Sequence, residues 1–432
     1  MALWFDNVLR SAAKVVLKNT LGRNERVFER ARALRLDIRN ALVVPKRHGT
    51  GSARRRLGRT NRYPFGVNVA GYLRADNGLG EAARCDVRML KARGIPHALN
   101  DVSDLGAAAI ELPEGEIQSS NPYAVNLVHI NADGVYQFAW EAGKSYFRDH
   151  YNIGHWAWEL PDFPREWDSA FNFFDEIWCG SNFIVDAVSK VSPVPVIRIP
   201  YAAIDRSGKI CCGRKRFGLP EDKFIFLFAF DFKSTMERKN PLALVEAFRL
   251  AFQGRDDVLL VLKCSRGDQN PGGFARLYEA IAGLPVRIID KTLSRDELTS
   301  LFAVCDCYVS LHRSEGYGLT IAESMALGKP VIVTGYSGNM DFTNADNSFL
   351  VKYSLVEIEE DYQVYKKGSV WAEPSVSHAA DMMRYVYDHR DIAEETGRRA
   401  REDILTRFSI DAVSGMISDR LMEIAKTERI VI

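Results

Sequence analysis

The segment SLHRSEGYGLTIAESMALGKPVIVTGYSGNMD, residues 310–341, decides the fold that the sequence predicts. It begins in a strand over Cys307–Leu311, turns through glycines, continues as a helix over 319–327 and returns in a strand over Pro330–Thr334. Strand, tight turn, helix and strand in this order form the repeating unit of a parallel α/β sheet. Because ligands bind such sheets at the carboxyl ends of the strands, we expect a site in the turn after Leu311.

Two carboxylates and two glycines give this turn the character of a binding site. Glu315 lies at its mouth, and Glu323 follows eight positions later, about two turns along the new helix. Gly316 and Gly318 let backbone amides approach a ligand, and the start of the helix at Leu319 favours phosphate. This pattern suits an extended ligand with hydroxyls at both ends and phosphates between them, such as a sugar nucleotide. Taken alone, two solvated glutamates beside a glycine turn would be the plainer interpretation.

The chain contains two series of alternating strands and helices. Strands are predicted at 65–73, 123–130, 151–155, 175–179 and 194–199, and then at 224–230, 258–263, 285–289, 307–311 and 330–334. A length of 432 residues also favours two domains. The sequence therefore predicts an α/β protein of two Rossmann-like, doubly wound parallel-sheet domains that face a cleft. Four parts are predicted: a basic N-terminal helical extension (1–62), an N-terminal domain (63–205), a C-terminal domain (206–405) and a C-terminal helix that packs back on the N-terminal domain (406–432).

Composition excludes several other classes of protein. Hydrophobic residues make up 47% and charged residues 26% of the chain, as in soluble globular proteins. The seven cysteines form no CxxC pair, so buried thiols in a reducing compartment are expected. No apolar run reaches the roughly 20 residues that span a bilayer, and charges from Asp6 to Lys18 interrupt any signal-peptide core. We therefore expect a cytoplasmic protein.

The N-terminal extension is strongly basic. Residues 1–62 hold 16 Lys and Arg against 4 Asp and Glu, whereas the rest of the chain holds 41 against 52. Apolar residues from Trp4 to Val16 recur near helical spacing, and Arg10, Lys14 and Lys18 recur every four residues. Such a helix suits an anionic membrane surface, at the inner face of the plasma membrane. A solvated helix docked on this protein or on a second subunit explains the pattern equally well.

Cations and polar groups follow other strand ends of the C-terminal series. Arg238 and Lys239 lie just before Pro241, near the start of a helix, where two cations can neutralise a diphosphate and stabilise it as a leaving group. Out of context, a surface Arg-Lys pair would be the plainer interpretation. Lys263, His312 and Asn339 are further residues that we expect to bind the sugar nucleotide, the donor in such a site.

The N-terminal series offers further candidates. Gly78 and Gly80 form a glycine turn between a strand and a helix, and Asp133 follows the strand that ends near His129. For His129 a buried structural role is the preferred interpretation, and for Asp133 a turn cap is the alternative. Glu159 faces a plausible cleft. The fragment from Gly78 to Ala83 reads G-x-G-x-x-A, which keeps a dinucleotide-dependent oxidoreductase as a rival, although that rival leaves residues 310–341 unexplained.

These segments resemble glycosyltransferase family 4, the retaining "glycosyl transferases group 1". Its E-x7-E motif is matched by Glu315 and Glu323, and its basic phosphate-binding pair by Arg238-Lys239 in FDFKSTMERKNPLALVEAF. The Gly-Arg pair common in the wider family is absent, and Lys233 stands in that region. The segments GYLRADNGLGEAAR and NIGHWAWELPDFPREW are similar to a subgroup that acts in bacterial surface-polysaccharide synthesis, including lipopolysaccharide.

The resemblance implies a GT-B fold and transfer of a hexose from a nucleotide-diphosphate sugar to a hydroxyl of a glycan or lipid-linked acceptor, with retention. It implies that Glu323 binds the ribose and Glu315 the transferred sugar, with Glu315, Lys239 and Asp133 as catalytic candidates. GDP-mannose is the first donor expected, and no nucleic-acid partner is expected. Because no Asp-x-Asp occurs, we expect no metal and no cofactor. A non-catalytic sugar-nucleotide-binding or scaffold protein remains the alternative.

The basic extension generates a first prediction. Removal of residues 1–62 is expected to leave the rest of the chain folded but to abolish flotation with anionic vesicles, because each basic residue near such a surface contributes about 1 kcal/mol of binding. Added salt should weaken flotation of the full-length protein. Equal flotation of the full-length and shortened chains would contradict a membrane role for the extension.

Overall fold

The computed structural model describes residues 62–103, 110, 117–143, 145–202 and 210–432. These residues form two parallel sheets of six strands each, which we name the N-terminal sheet and the C-terminal sheet. The predicted α/β class is therefore confirmed. Apart from Arg62, the predicted basic extension lies outside the described residues, so its helix stays a prediction.

The N-terminal sheet has a ladder of buried asparagines at its centre. Its elements are β1 (Val67–Gly71), α1 (Gly78–Ala92), β2 (His97–Asp101), β3 (Val125–His129), α2 (Val135–Ala142), β4 (Tyr151–Trp156), β5 (Glu176–Cys179), α3 (Asn182–Ser189) and β6 (Val196–Arg198). The strand order is β2-β1-β3-β4-β5-β6. Asn68 of β1 donates to Asn126 of β3 at 2.9 Å, and Asn126 donates to Asn152 of β4 at 2.8 Å. Each amide satisfies its neighbour, so these polar groups fix the register inside the sheet.

The C-terminal sheet and the helices between its strands include every element predicted there and three elements that were not predicted. They are β7 (Phe224–Ala229), α4 (Met236–Lys239), α5 (Pro241–Phe252), β8 (Val258–Cys264), α6 (Pro271–Ala280), β9 (Val286–Asp290), α7 (Arg295–Val304), β10 (Cys307–Ser310), α8 (Leu319–Ala326), β11 (Val331–Thr334) and β12 (Phe349–Val351). The elements α4, α6 and β12 were not predicted. The strand order is β12-β11-β10-β7-β8-β9. All of β7 is buried, as its uniformly apolar sequence predicts. Pro241 begins α5, and Ser294 forms a capping box with Glu297 at the start of α7.

The chain ends in a hairpin and three helices. They are β13 (Tyr353–Glu357), β14 (Val370–Pro374), α9 (Val376–Asp388), α10 (Arg390–Arg407) and α11 (Ile410–Glu428). Helix α11 packs against α1, where Arg93 lies 2.8 Å from Asp411, and Arg420 forms an ion pair with the buried Glu176 of β5. The last helix thus returns to the N-terminal sheet. Within the described part of the chain, no helix has the length and apolarity to cross a membrane.

Loops at the carboxyl edges of the two sheets contact each other. Ser181, after β5, donates to the carbonyl of Gly316 at 2.6 Å, and the Tyr317 hydroxyl donates to the carbonyl of Tyr201 at 2.8 Å. Arg198, at the end of β6, pairs with Asp341 at 2.8 Å. The loops that follow β10 and β11 are therefore held against the N-terminal domain, and a site there has walls from both sheets.

Candidate functional site

Three charged side chains predicted to bind the donor meet at the carboxyl edge of the C-terminal sheet. Lys239 Nζ lies 2.5 Å from Glu315 Oε1, and Arg238 Nη1 lies 3.3 Å from Glu315 Oε2. Both cations follow β7 on the short helix α4, and Glu315 follows β10, which is the neighbour of β7 in the sheet. Arg238 and Glu315 are buried, and Lys239 is half-buried. We name these three residues the charged cluster.

Electrostatics keep the charged cluster ionised. Burial alone would raise the pKa of Glu315, but Lys239 and Arg238 outweigh burial and lower that pKa to about 2. Burial lowers the pKa of Lys239, and the charge of Glu315 opposes this shift. At neutral pH the Glu315 carboxylate is therefore an anion balanced by two cations.

The guanidinium of Arg238 keeps one donor without a protein partner. Its Nη1 donates to the carbonyl of Ser314 at 2.8 Å, and its Nη2 donates to the carbonyl of Ser234 at 3.3 Å. No acceptor among the described residues reaches its buried Nε. Because buried N–H groups nearly always have a partner, this Nε retains an unused capacity to donate a hydrogen bond.

Close backbone contacts fix the turn that carries Glu315. Its amide donates to the Ser337 hydroxyl at 2.8 Å, and its carbonyl accepts from the amide of Gly338 at 2.9 Å. A Cβ on Gly338 would lie 2.0 Å from the carbonyl oxygen of Gly316, so only glycine allows this approach. Gly318 has φ +96° and begins α8. The predicted glycine turn therefore exists: a Cβ on Gly316 would lie 2.8 Å from the carbonyl oxygen of Trp158, and the positive φ of Gly318 favours glycine.

His312 and Asn339 lie behind the turn, where they are paired with each other. His312 Nε2 lies 3.0 Å from Asn339 Oδ1, and His312 Nδ1 lies 3.0 Å from the Ser310 hydroxyl. Both side chains are fully buried. Burial lowers the pKa of His312, although Glu315 opposes the shift. The structure thus places these two predicted donor ligands as supports of the glycine turn.

Glu323 lies about one turn along α8 and lines a gap toward the other domain. A narrow gap between α8 and α1 is lined by Glu81, Cys85, Ala202, Tyr317, Leu319, Ala322 and Glu323. Glu323 is buried. Glu81 of α1 forms a 2.8 Å ion pair with Arg295 of α7, which bridges the two domains beside this gap. The E-x7-E spacing therefore separates the two glutamates into different parts of the cleft.

Lys263, a further predicted donor ligand, is placed apart from the charged cluster. Its buried ammonium donates to the carbonyl of Cys264 at 2.7 Å, at the end of β8. Burial lowers its pKa, and Asp76, Asp231 and Asp290 are among the charges that oppose this shift. Lys263 therefore lies among carboxylates of the neighbouring strand ends.

The two glycines of the N-terminal turn differ in their surroundings. Gly78 begins α1 with Asn77 as its N-cap, and a Cβ there would meet no atom within 4 Å. A Cβ on Gly80 would lie 2.4 Å from the carbonyl oxygen of Ala75. Gly80 thus has a packing role inside α1, which accounts for it without the dinucleotide site that the rival interpretation needs.

The two carboxylates Glu159 and Asp133 lie on the side of the site that the N-terminal domain forms, which we name the N-terminal wall. Glu159, three residues after β4, lies 4.0 Å from Arg238 Nη2 and accepts a 2.9 Å hydrogen bond from Tyr365. Burial raises the pKa of Asp133, and the nearby Glu159 raises it further. Tyr365 could not be predicted from the sequence, because it lies in the turn of a hairpin that carries no motif.

A buried carboxylate with two imidazoles lies beneath this wall. Asp86 Oδ2 is 2.8 Å from His155 Nδ1 and 3.1 Å from His129 Nε2. Burial alone would raise the pKa of Asp86, but His155 and His129 hold it well below its usual range, and burial lowers the pKa of His129. The preferred structural role of His129 is consistent with this burial. A signal did exist in the sequence, because Asp86 shares the buried face of α1 with Ala82 and Ala83.

This trio also has the donor atoms that a metal ion would need. The ligand atoms of the three residues lie within 4.8 Å of one another, although the histidine spacing in the sequence shows no metal motif. The same two imidazole nitrogens that would bind the ion already lie against the Asp86 oxygen. We interpret the trio as a buried charge stabilised by a hydrogen bond to His155 and by the adjacent imidazole of His129.

Comparison with known sequences identifies one family over the C-terminal domain. Residues 213–403 match the family described as "Glycosyl transferases group 1". Trehalose synthases from Thermococcus litoralis and Pyrococcus furiosus are each 26% identical over 179 residues. These alignments cover 40% of this chain and only 38% of the length of each trehalose synthase.

Solved structures resemble the whole described fold. Sucrose-phosphate synthase from Thermosynechococcus elongatus has a TM-score of 0.62 at 14% identity, over 83% of this chain and 99% of that one. A glycosyltransferase from Rickettsia africae has a TM-score of 0.60 at 17% identity, over 85% of this chain and 99% of that one. Anabaena HepE in complex with UDP and glucose has a TM-score of 0.58 at 16% identity, over 83% of this chain and 100% of that one. At these identities the likeness concerns the fold, and it confirms the predicted GT-B arrangement.

The Asp86 trio generates a prediction about acid stability. Both folded-state pKa shifts are downward, so the unfolded chain binds more protons. The stability from His129 is lost as pH falls below its unfolded pKa of about 6.5, and that from Asp86 only as pH falls below its unfolded pKa of about 3.9. Asp86→Asn should cost about 2–3 kcal/mol at neutral pH. Because Asp86 opposes the downward pKa shift of His129, the variant should show a steeper fall in melting temperature between pH 7 and pH 4 and a flatter fall below pH 4. Asp381→Asn, on an exposed ion pair with Arg384, is the control. Superimposable curves for Asp86→Asn and the parent would contradict this role.

Proposed function

Because residues 213–403 match the glycosyl transferases group 1 family, we propose that this chain transfers a sugar from a nucleoside-diphosphate donor to an acceptor hydroxyl, with retention. The observation that supports the proposal most is the charged cluster of Arg238, Lys239 and Glu315 at neighbouring strand ends. Strand ends of this kind are where α/β sheets bind their ligands. A scaffold that only binds the sugar nucleotide is the alternative, and turnover decides between them.

The charged cluster suits a diphosphate. It contains two cations and one carboxylate, so it keeps net positive charge in a place where burial strengthens electrostatic attraction. The unpartnered Nε of Arg238 supplies a further donor. Arginine and lysine are the usual protein partners of phosphate.

Donor binding would rearrange the charged cluster. For a phosphate to bind Lys239, the Lys239 ammonium must break its ion pair with Glu315 and pair with the phosphate instead. This exchange frees a carboxylate oxygen of Glu315 for a hydroxyl of the transferred sugar. Lys239 and Glu315 thus stabilise each other before the donor binds. Once it is bound, its phosphate would pair with Lys239 and a hydroxyl of its sugar with Glu315.

The same groups would act on the transition state. As the bond between sugar and phosphate breaks, negative charge grows on the departing diphosphate, and Arg238 and Lys239 stabilise it more strongly than in the ground state. The departing phosphate takes the proton of the attacking hydroxyl, so no separate protein base is needed. Asp133 lies on the N-terminal wall, where it would contact the sugar or the acceptor.

The donor and acceptor are proposed by chemistry class. We keep GDP-mannose as the first donor to test and add UDP-glucose, because Anabaena HepE was solved with UDP-glucose. Glu323, in the gap between α8 and α1, would bind the ribose hydroxyls. The acceptor would be a glycan or lipid-linked glycan of bacterial surface-polysaccharide synthesis. The protein would be cytoplasmic, and residues 1–62 would bind it to the anionic membrane surface where such an acceptor lies.

Substitutions in the charged cluster should separate binding from turnover. Lys239→Ala is expected to weaken donor affinity. It should also raise the activation free energy by about 2–4 kcal/mol, which lowers turnover on the order of a hundredfold. Glu323→Gln should mainly weaken nucleotide binding, and Glu315→Gln should lower turnover more than affinity. Calorimetry with GDP and UDP, beside kinetics with radiolabelled GDP-mannose and UDP-glucose, measures these effects.

A matched control lies beside the charged cluster. Arg276→Ala removes the exposed ion pair with Glu237, the residue before Arg238, and should change neither affinity nor turnover. Melting curves should show that every variant is folded, with a lower melting temperature for Lys239→Ala and Glu315→Gln, because each removes one partner of a partly buried ion pair. If Glu315→Gln and Glu323→Gln bound and transferred donor like the parent, the site would lie elsewhere.

Turnover is also expected without a divalent metal. The sequence has no Asp-x-Asp, and two cations can take over the charge compensation that a metal gives elsewhere. Donor turnover in excess EDTA should equal turnover in its absence. Complete loss that Mg²⁺ or Mn²⁺ restores would show that the mechanism depends on a metal.

A further inference from the structure

The hairpin of β13 and β14 reaches from the C-terminal domain to the N-terminal wall of the site. Its residues Ile358, Tyr365 and Trp371 belong to the same buried apolar cluster as Trp158 of the N-terminal domain. The rings of Tyr365 and Trp158 have centroids 5.8 Å apart, and Tyr365 is only 5% exposed. The hairpin therefore places one tyrosine firmly between the two domains.

Tyr365 contacts both members of a pair of opposite charges. Its hydroxyl donates to Glu159 Oε2 at 2.9 Å, and the guanidinium of Arg238 lies 5.7 Å from the centre of its ring. The other carboxylate oxygen, Glu159 Oε1, is 4.0 Å from Arg238 Nη2. This distance is too long for a hydrogen bond.

The position of Glu159 needs a physical cause. A carboxylate facing a buried guanidinium is strongly attracted to it, and a shift of about 1 Å would create a charge-assisted hydrogen bond. The backbone of Glu159 is tied to the other domain, because its carbonyl accepts from the Ser314 hydroxyl. The side chain is restrained by the hydroxyl of Tyr365, which offers Glu159 another donor.

We propose that Tyr365 is a positioning residue that holds Glu159 off Arg238, so that the guanidinium stays available to the donor diphosphate. The inference rests on the proposed function and adds to it a residue that sets the charge of the site. Without the hydroxyl, Glu159 closes its 4.0 Å separation from Arg238 to a hydrogen bond and occupies an N–H of the guanidinium that a diphosphate needs.

The test is the affinity of Tyr365→Phe for nucleoside diphosphates. This change keeps the ring and its packing but removes the hydroxyl. Calorimetry with GDP, UDP and dTDP should show about tenfold weaker binding of whichever nucleotide the parent binds. Tyr362→Phe is the matched control, because its hydroxyl lies 3.0 Å from the exposed Glu360 on the same hairpin, and its affinity should equal that of the parent.

A second substitution separates positioning from packing. In the double variant Glu159→Gln with Tyr365→Phe, the neutral amide no longer competes for Arg238, so nucleotide affinity should return to within about twofold of the parent. If Tyr365 served only to pack the hairpin, the double variant would bind no better than Tyr365→Phe. Melting curves confirm that each variant is folded.

Three results would overturn the inference. Parent-like affinity of Tyr365→Phe would show that the hydroxyl does not control Arg238. Weak binding that Glu159→Gln fails to restore would show that the loss comes from packing. If the parent itself bound none of the three nucleotides, the proposed function would fail first, and this inference would fail with it.

Discussion

The ion pair between Lys239 and Glu315 is the interaction on which the rest of the site depends. It joins the loops after β7 and β10, which are neighbouring strands, and it is partly shielded from water. Removing one partner would leave an uncompensated charge beside a buried guanidinium, which is costly. The same property makes the pair suitable for ligand exchange, because a phosphate and a sugar hydroxyl can replace each partner without leaving either charge unsatisfied.

The site also depends on contact between the two domains. Gly316 and Tyr317 are held by hydrogen bonds to Ser181 and to the Tyr201 carbonyl, and Glu81 pairs with Arg295 across the gap that Glu323 lines. These contacts bring both domains to the edge of the site, and the burial of Arg238 and Glu315 there strengthens the electrostatics of the charged cluster. Under the proposed function, donor affinity and turnover would therefore depend on groups from both domains, although the family match lies within residues 213–403.

Much of the fold could be predicted because its signals are local. The apolar run of β7, the proline that begins α5 and the capping box at Ser294 each depend on a few adjacent residues. Glu315 and Glu323 could be found because their spacing lies within one segment. Strand β2, whose sequence HALND mixes apolar and polar residues, was missed.

The remaining parts of the site arise from contacts between distant residues. Tyr365 and Glu159 are separated by 206 positions, and Asp86 and His155 by 69. No local pattern predicts such pairs, and the polar position of Asp86 on a buried helix face was the only hint. Lys263 was predicted from its strand end, but its ammonium bonds to the adjacent carbonyl, a choice of rotamer that the sequence does not show.

A structure of the protein with a bound nucleoside diphosphate tests the central claim most directly. The account predicts a phosphate oxygen within about 3 Å of Lys239 Nζ, with the bond from Lys239 to Glu315 broken and the Glu315 carboxylate turned toward the sugar position. A nucleotide bound elsewhere, with the Lys239–Glu315 pair intact, would contradict the account.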